Sequence, residues 1–220
     1  MSRTTPLHGV HESLGATMVD FAGWRMPLRY GSESAEHRAV RGAAGLFDLS
    51  HMGEIFVTGP AAAAALDHAL VSRVSRLAPG RARYTMLCAA DGGVLDDLIV
   101  YRLSAEEFLV VANAANAERV AAELAARAEG YDAAVADRSA AHALLAVQGP
   151  RSAEVLAAAG VAGDGLGDLR YYAARPAKVA GVEALVARTG YTGEDGFELF
   201  IAADDAERLW RALAAAGEPY

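Results

Sequence analysis

Cysteine is almost absent from this chain of 220 residues, in which Cys88 stands alone. A single thiol excludes an internal disulfide and a zinc site built from several thiolates, and it fits a reducing compartment. We expect Cys88 to be a core residue. Metal-ligand spacings are absent as well, since none of the six histidines occurs in a pattern such as His-Glu-x-x-His. We therefore expect no bound metal.

Basic residues and long apolar runs are also scarce. The chain has 20 Lys and Arg against 28 Asp and Glu, a formal net charge of -8, and its basic residues are spread out. Neutralising phosphates requires clustered Lys and Arg, so this charge distribution disfavours nucleic acid. No apolar run approaches the roughly 20 residues that span a bilayer, and the first residues lack the apolar core of a signal peptide. We expect no nucleic-acid partner, no membrane partner and a cytoplasmic location.

Two adjacent aspartates stand inside an otherwise apolar stretch that follows a predicted glycine turn at 91–93. In the strand expected there, side chains alternate, with Leu95, Asp97, Ile99 and Tyr101 on one face and Val94, Asp96, Leu98 and Val100 on the other. Both faces are mostly apolar, so at least one aspartate is expected in an apolar setting, which is costly unless the carboxylate is hydrogen-bonded. The pattern predicts either a functional site or a structural carboxylate that caps a loop or pairs with a cation at the sheet edge.

Local signals predict alternating helices and strands along the chain. Ser32 is expected to cap a helix, and residues 46–58 are predicted to form one strand that contains His51 and Met52. A His and a Met inside a strand are more often core packing than a site. Asn116 is expected to cap a further helix. The remaining predicted elements are a helix at 60–71, a hairpin at 81–88 and 94–103, strands at 108–112, 132–137 and 144–149, and a helix at 150–160.

The second half of the chain repeats signals of the first. The repeated segments are Val57-x-Gly59-Pro60, which recurs as Val147-x-Gly149-Pro150, and Ala117-Glu118-Arg119-Val120, which recurs as Ala206-Glu207-Arg208-Leu209. We predict two related modules, residues 55–137 and 143–217, each ordered strand, helix, two or more strands, helix. That order indicates an α+β fold in which each module is a ferredoxin-like antiparallel sheet with helices on one face. Chance agreement in an alanine-rich chain is the alternative.

The two modules differ in where they carry acidic residues. When the sequences of the modules are aligned, Asp96 and Asp97 fall opposite Leu185 and Val186, so the second module lacks these two carboxylates. The second module instead has a turn rich in glycine and acidic residues, followed by Glu198 near the start of an apolar strand. A carboxylate in that place indicates a polar site at the end of a sheet.

Several motifs occur together, in one order, along almost the whole chain. They cover residues 21–24, 47–54, 92–101, 111–114, 145–150 and 190–198. Together they resemble the aminomethyltransferase (T-protein) family of the glycine cleavage system and the folate-binding superfamily around it. The resemblance implies a discontinuous first folate-binding domain, residues 1–54 and 138–220, and an inserted ferredoxin-like domain, residues 55–137. The family continues with a segment carrying an Ala-Arg-Asp-x-Leu-Arg motif, whose first arginine reaches the folate, and a further β-rich domain. We therefore expect that this chain lacks the C-terminal part of the family.

The resemblance implies a transfer reaction that depends on tetrahydrofolate. The lipoylated H-protein of the glycine cleavage system would present an aminomethyl group, the methylene carbon would pass to tetrahydrofolate, and ammonia would leave. Asp97 is the acidic residue expected to hold the pterin side of folate and to assist the transfer. The other folate contacts that the resemblance implies are Met52, Tyr84, Ile99, Tyr101, Asn113, Tyr191 and Glu198.

The chemistry of the ligand agrees with this assignment. A pterin is a flat ring with donor nitrogens along one edge, and a carboxylate such as that of Glu198 accepts two such bonds while apolar side chains cover the ring faces. The transfer needs an unprotonated folate nitrogen and a protonated ammonia leaving group, which a carboxylate with a raised pKa in an apolar pocket helps to arrange. Our hypothesis is that Asp97 positions folate and supports proton movement without forming a covalent bond.

Other functions remain open from the sequence. A folate-dependent demethylase of a small methylated amine or sulfur compound would share the folate half of the site. A non-catalytic folate-binding fragment, or a small-molecule-binding α+β protein, would share the fold without turnover. The iron–sulfur assembly or tRNA-maintenance branch of the superfamily carries a motif of the Lys-Gly-Cys-Tyr-x-Gly-Gln-Glu type. This chain has no cysteine at residues 189–194, which disfavours that branch.

Overall fold

The computed structural model describes residues 2–161 and 166–220. Its internal contacts divide the chain into two compact units. Unit 1 comprises Met1–His51, Ala140–Tyr171 and Arg175–Tyr220, and unit 2 comprises Met52–Ser139 and Tyr172–Ala174. The domain division that the resemblance implies stays a prediction, because compactness does not show which segments fold together.

Along the described residues, α-helices are separated by runs of two or three strands. In chain order they are α1 (His8–Ser13), β1 (Thr17–Phe21), β2 (Trp24–Arg29), α2 (Glu33–Gly42), β3 (Gly45–Asp48), β4 (Gly53–Thr58), α3 (Ala62–Ala69), β5 (Arg81–Cys88), β6 (Val94–Arg102), β7 (Glu107–Ala112), α4 (Ala117–Arg127), β8 (Ala134–Asp137), β9 (His142–Gln148), α5 (Ser152–Ala158), β10 (Ala174–Val179), β11 (Val182–Ala187), β12 (Gly196–Ala202) and α6 (Ala206–Gly217). Short 3₁₀ helices cover Val74–Arg76, Ser139–Ala141 and Ala203–Asp205. None of the helices in the described part of the chain is long and apolar enough to cross a membrane.

Unit 2 is a five-stranded sheet with two helices on one face. Its strand order is β5-β6-β7-β4-β8, and every neighbouring pair is antiparallel. Both α3 and α4 pack on one face, where Leu66 and Val120 of the helices meet Ile55 and Val100 of the strands in one core. Burying an apolar side chain of this size contributes about 1.5–3 kcal/mol to the stability of the fold. Strand residues of the opposite parity, among them Asp97, lie on the other face.

Unit 1 contains a five-stranded sheet of the same form. Its strand order is β10-β11-β12-β9-β3, and α5 and α6 pack against each other and against β9. A separate antiparallel hairpin of β1 and β2 precedes α2. Strands that correspond in the sequence repeat take the same places in the two orders, with β8 and β3 as the fifth strands. The prediction of an α+β fold with two related ferredoxin-like modules is confirmed.

The prediction of one strand over residues 46–58 is wrong, because a turn divides this segment. β3 pairs with β9 in one sheet, and β4 pairs with β7 in the other. The Asp48 carboxylate accepts a hydrogen bond from the Ser50 backbone N–H at 3.0 Å. A side chain that bonds to the backbone two residues further on favours a turn over a strand ladder. His51 and Met52 therefore lie in the connection between two strands, where both are half-buried.

The alignment of the two modules is also corrected, in one hairpin. Strands β7 and β12 correspond because the same helix motif follows each. Their pairing with β6 and β11 makes Ile99 the counterpart of Leu185. Asp97 therefore corresponds to Glu183 and not to Val186.

This offset arises at the two hairpin turns. Ala180 and Gly181 join β10 to β11 with φ values of 50° and 76°, as in a tight two-residue turn. The turn between β5 and β6 is longer, and the register shifts at Cys88. Cys88, which we expected in the core, is half-buried at this irregularity. The extra residues move Asp97 relative to the simple alignment.

The repeated Gly-Pro pair has a conformational cause. Gly59 and Gly149 have φ values of 122° and 132°. A Cβ at Gly59 would lie 2.6 Å from the carbonyl oxygen of Asp132, and one at Gly149 would collide with the carbonyl oxygen of Ala43. Only glycine tolerates both this φ and this close approach. The repeat therefore marks the same loop before α3 and α5.

Candidate functional site

Asp97 lies on the face of the unit 2 sheet opposite α3 and α4. Its carboxylate accepts a hydrogen bond from the Tyr84 hydroxyl at 3.0 Å and another from Asn113 Nδ2 at 3.0 Å, on different oxygens. The bond to Asp97 raises the pKa of Tyr84, so the hydroxyl remains a donor at neutral pH. Asp97 is half-buried, and each carboxylate oxygen has a further lone pair. The carboxylate is thus held in place and can still accept further hydrogen bonds.

Apolar and aromatic side chains continue this face of the sheet. Ile99 and Tyr101 follow Asp97 at alternate positions of β6, and both are buried. Ile99 is directly opposite Tyr84 of β5 on one side and Val111 of β7 on the other. Because directly opposed residues share a face, four of the predicted site residues, Asp97, Tyr84, Ile99 and Tyr101, lie on one face of one sheet.

A second carboxylate, which we did not predict as part of the site, supports Asn113. Asp96 is 4% exposed. It accepts hydrogen bonds from the Asn113 backbone N–H at 3.0 Å, from Asn113 Nδ2 at 3.1 Å and from Asn116 Nδ2 at 2.6 Å. Asn113 Nδ2 also lies 3.0 Å from the Asp97 carbonyl oxygen, so one of its two N–H groups is shared between two acceptors. Hydrogen bonds to a carboxylate are stronger than neutral ones, so Asp96 anchors the amide that holds Asp97.

Asn116 takes the N-cap position of α4 without capping the helix. Its side chain makes no bond to the helix backbone and donates to Asp96 instead. A charge-assisted bond to a buried carboxylate outweighs a neutral cap, which contributes about 1 kcal/mol. The signal in the sequence was the spacing of Asn113 and Asn116 just before a helix, and capping was the wrong explanation of it.

Glu198 and Tyr191 belong to unit 1, at and just before the start of β12. Glu198 is 4% exposed, lies opposite Ala146 of β9 and accepts a hydrogen bond from the Thr189 hydroxyl. Tyr191 stands in the preceding loop and is 67% exposed. This stretch of chain therefore combines a buried carboxylate with an exposed aromatic ring.

The glycine-rich loop before β12 is built around Gln148. The Gln148 side chain donates to the Thr189 carbonyl oxygen at 3.0 Å and accepts from the Thr192 hydroxyl at 3.0 Å. A Cβ at Gly190 or Gly196 would collide with the Gln148 side chain. Two glycines of the motif are thus explained by close packing on an amide.

The predicted site residues fall into two groups. Hydrogen bonds join Tyr84, Asn113 and Asp97 within unit 2, where Met52 stands just before β4. Tyr191 and Glu198 form the group in unit 1. Across residues 2–161 and 166–220, no group of three or more His, Cys, Asp or Glu side chains could hold a metal ion.

Comparison with known proteins assigns the family. The family model described as the GCVT N-terminal domain matches residues 7–220. The chain belongs to the glycine cleavage T-protein family. Aminomethyltransferases of Streptomyces avermitilis and Streptomyces coelicolor are 63% and 62% identical to it, over 99% and 98% of this chain and 58% of each relative.

A solved T-protein structure has the same fold. The crystal structure of glycine cleavage system aminomethyltransferase T from Bartonella henselae matches with a TM-score of 0.89 and 41% identity, covering 97% of this chain and 57% of that chain. The present chain thus spans little more than half the length of the T-protein relatives that it matches.

Proposed function

We propose that this chain is the folate-binding part of an aminomethyltransferase of the glycine cleavage system. In this function the methylene carbon of an aminomethyl group on the lipoyl arm of the H-protein passes to tetrahydrofolate, and ammonia leaves. Membership of the T-protein family supports the reaction class. The observation that carries the proposal is the Asp97 carboxylate, which Tyr84 and Asn113 hold on an apolar sheet face.

The side chains around Asp97 fit a pterin. The carboxylate keeps lone pairs for the donor nitrogens of the ring edge, and Ile99 and Tyr101 supply the apolar and aromatic surface that flat ligands need. Met52 is proposed as a further contact. When bound, tetrahydrofolate would supply the nitrogen that accepts the methylene carbon.

Within this proposal, Asp97 orients the ligand and accepts a proton during the transfer. Tyr84 keeps its proton because its bond to Asp97 raises its pKa, and the Asn113 amide is not a base. Asp97 is therefore the member of the trio that can accept the proton that the folate nitrogen releases as its bond to the methylene carbon forms. The role needs no covalent bond between Asp97 and the substrate.

Glu198 is proposed as a second carboxylate contact for folate. It is buried and already accepts one hydrogen bond from Thr189, which orients it. Tyr191 is exposed and can cover one face of a ring. Both roles stay proposals of the same folate function.

Anaerobic calorimetric titration with tetrahydrofolate tests the proposal. We expect the parent chain to bind, and Asp97→Asn to bind at least about tenfold more weakly, because a hydrogen bond to a charged group contributes about 1.5–3 kcal/mol. Asp91→Asn is the matched control, since Asp91 lies in the turn of the same hairpin and asparagine keeps the oxygen that accepts from the Gly93 N–H. A folded Asp97→Asn variant with the affinity of the parent would contradict the assignment of Asp97.

A second assay tests the transfer itself. The chain is incubated with aminomethylated H-protein and tetrahydrofolate, and ammonia release is measured. Release that depends on Asp97 supports the aminomethyltransferase. Turnover of a small methylated amine without turnover of H-protein would favour the demethylase instead.

A further inference from the structure

Glu54 lies on the same face of the unit 2 sheet as Asp97 and has no role in the site described so far. Glu54 of β4 is directly opposite Val111 of β7, and Val111 is directly opposite Ile99 of β6. Directly opposed residues share a face, and Asp97 shares the face of Ile99. The spacing of strands and residues in a sheet places Glu54 and Asp97 roughly 12 Å apart. The apolar side chains of Val111 and Ile99, both buried, lie between the two acids.

The carboxyl group of Glu54 has no hydrogen-bond partner in the described part of the chain. The residue is 0% exposed, and neither Oε1 nor Oε2 is bonded. Nearly all buried polar atoms in proteins are bonded, so each exception requires an explanation. Of the neighbours of Glu54 on this face, Phe56 and Val111 are apolar. Arg138, whose backbone N–H donates to the Glu54 carbonyl oxygen at 2.9 Å, has its guanidinium over the Phe56 ring. A hydrocarbon side chain would therefore suit the position without the penalty of burying a carboxyl group.

The surroundings keep Glu54 neutral. Burial, and then the charge of Asp137, raise the pKa of Glu54 to about 9. Asp137 is itself bonded to Ser139, whose hydroxyl also accepts from the Glu54 backbone N–H at 2.9 Å. The nearby Arg138 guanidinium lies over the Phe56 ring at 4.8 Å from its centre. At neutral pH Glu54 is thus a carboxylic acid, with one O–H donor.

We propose that Glu54 is a further ligand-contacting residue, whose carboxylic acid donates a hydrogen bond to an acceptor atom of the pterin ring of tetrahydrofolate. This inference rests on the proposed folate function. A flat ring over Val111 and Ile99 has Asp97 at one end, which accepts hydrogen bonds from ring N–H groups. Glu54 at the other end donates to a ring nitrogen lone pair or carbonyl oxygen. The two acids act in opposite senses, and the buried O–H obtains its partner when the ligand binds.

Substitutions of Glu54 separate a ligand contact from a structural role. Glu54→Met keeps the length of the side chain and removes its polar atoms, so the melting temperature should rise. The affinity for tetrahydrofolate should fall about tenfold, because the donor is lost. Glu54→Gln keeps an N–H donor and should bind within about threefold of the parent. Glu107→Met is the matched control, since Glu107 is a half-buried acid on β7 of the same sheet, and its affinity should not change.

The outcomes distinguish this inference from the proposed function. Higher stability with weaker binding in Glu54→Met supports the contact. Unchanged binding by Glu54→Met, while Asp97→Asn binds weakly, overturns the Glu54 inference alone. A folded parent chain that does not bind tetrahydrofolate overturns both proposals.

Infrared difference spectroscopy gives a readout that does not depend on the folding of Glu54→Met. The C=O stretch of the protonated Glu54 carboxyl is identified in the parent by its absence from Glu54→Gln. Tetrahydrofolate binding should shift this band, because a hydrogen bond from the O–H to the ligand weakens the O–H bond and changes the carboxyl stretch. A band that stays in place on binding overturns the inference.

Discussion

Strands β6 and β11 occupy the same place in the two sheets, yet each holds its acidic residue differently. On β6, Asp97 is half-buried and accepts from Tyr84 and Asn113. Its counterpart on β11, Glu183, is largely exposed and pairs with Lys178 at 2.7 Å. An exposed ion pair contributes little to stability, because water competes for both charges. One architecture thus carries a fixed acid in unit 2 and a solvated acid in unit 1.

The amide donors account for this difference. In unit 2 the connection from β7 to α4 supplies Asn113 and Asn116. The repeat places Ala202 and Asp205 at the corresponding positions of unit 1, and neither carries an amide. Without such donors, a carboxylate on the neighbouring strand remains in water, where its charge is stabilised. The fixed position of Asp97 therefore depends on donors from two separate segments, Tyr84 of β5 and Asn113 of the β7–α4 connection.

Removal of Asn113 should reduce the difference between the acids of β6 and β11 more than any other substitution, because Asp96 and Asp97 both lose a donor. We expect Asn113→Ala to lower the free energy of unfolding by about 3 kcal/mol and to abolish the held geometry of Asp97. Urea unfolding measures the first effect, and tetrahydrofolate titration the second. Asn116→Ala removes one bond to Asp96 and should cost about half as much. Equal losses in the two variants would show that the network is not centred on Asn113.

Asp96 should couple to Asn113 in the same measurements. We expect Asp96→Asn to lower the free energy of unfolding by about 2 kcal/mol. Asp96 accepts three hydrogen bonds on two oxygens, whereas asparagine has one accepting oxygen and one donating NH2 group. In the Asn113→Ala background the same substitution should cost less, since the bond from Asn113 Nδ2 is already gone while the backbone N–H of residue 113 still donates to Asp96. Additive losses in the double-mutant cycle would argue against a chain of contacts from Asp96 to Asp97.

The acid at Asp97 could be predicted from the sequence, whereas its donors could not. Alternation along a strand depends only on the backbone, so the shared face of Asp97 and Ile99 follows directly. The contact between Asp96 and Asn113 depends on strand register, which the length of a hairpin turn decides. Glu54 was missed for a related reason. An acid beside a glycine at the start of an apolar strand gives no sign of whether it faces water, and only the burial of its oxygens shows that it does not.

The comparison extends to one buried carboxyl group in each unit, Asp48 in unit 1 and Glu54 in unit 2. Burial acts to raise the pKa of Asp48, but hydrogen bonds from His11, Ser50 and Thr5 lower it below its usual value. In the described part of the chain neither carboxyl oxygen of Glu54 has a hydrogen-bond partner, and burial raises its pKa to about 9. The contribution of Asp48 to stability is therefore lost as the pH falls. The contribution of Glu54 is lost as the pH rises, since the unfolded chain ionises this group from about pH 4.5.

Replacement of Glu54 by glutamine tests the sign of this pH dependence. The free energy of unfolding of Glu54→Gln, minus that of the parent, should grow by about 2.7 kcal/mol between pH 6 and pH 8, because the parent alone must release a proton from Glu54 on unfolding. Urea unfolding of both proteins at a series of pH values measures the difference, and all other titrating groups largely cancel. A difference that stays flat across this range would show that Glu54 is ionised in the folded chain.

Glu183→Gln should have the smallest effect and so gives the sharpest contrast with β6. The side chains of Glu183 and Lys178 are 78% and 51% exposed. Loss of such a pair should change the free energy of unfolding by less than about 0.5 kcal/mol, and added salt should remove even that difference. Urea unfolding at low and high salt measures it beside Asp96→Asn. If the two substitutions cost the same, the amide donors do not stabilise an acid on β6 more than water stabilises Glu183. The amides of the β7–α4 connection would then not explain the difference between the two strands.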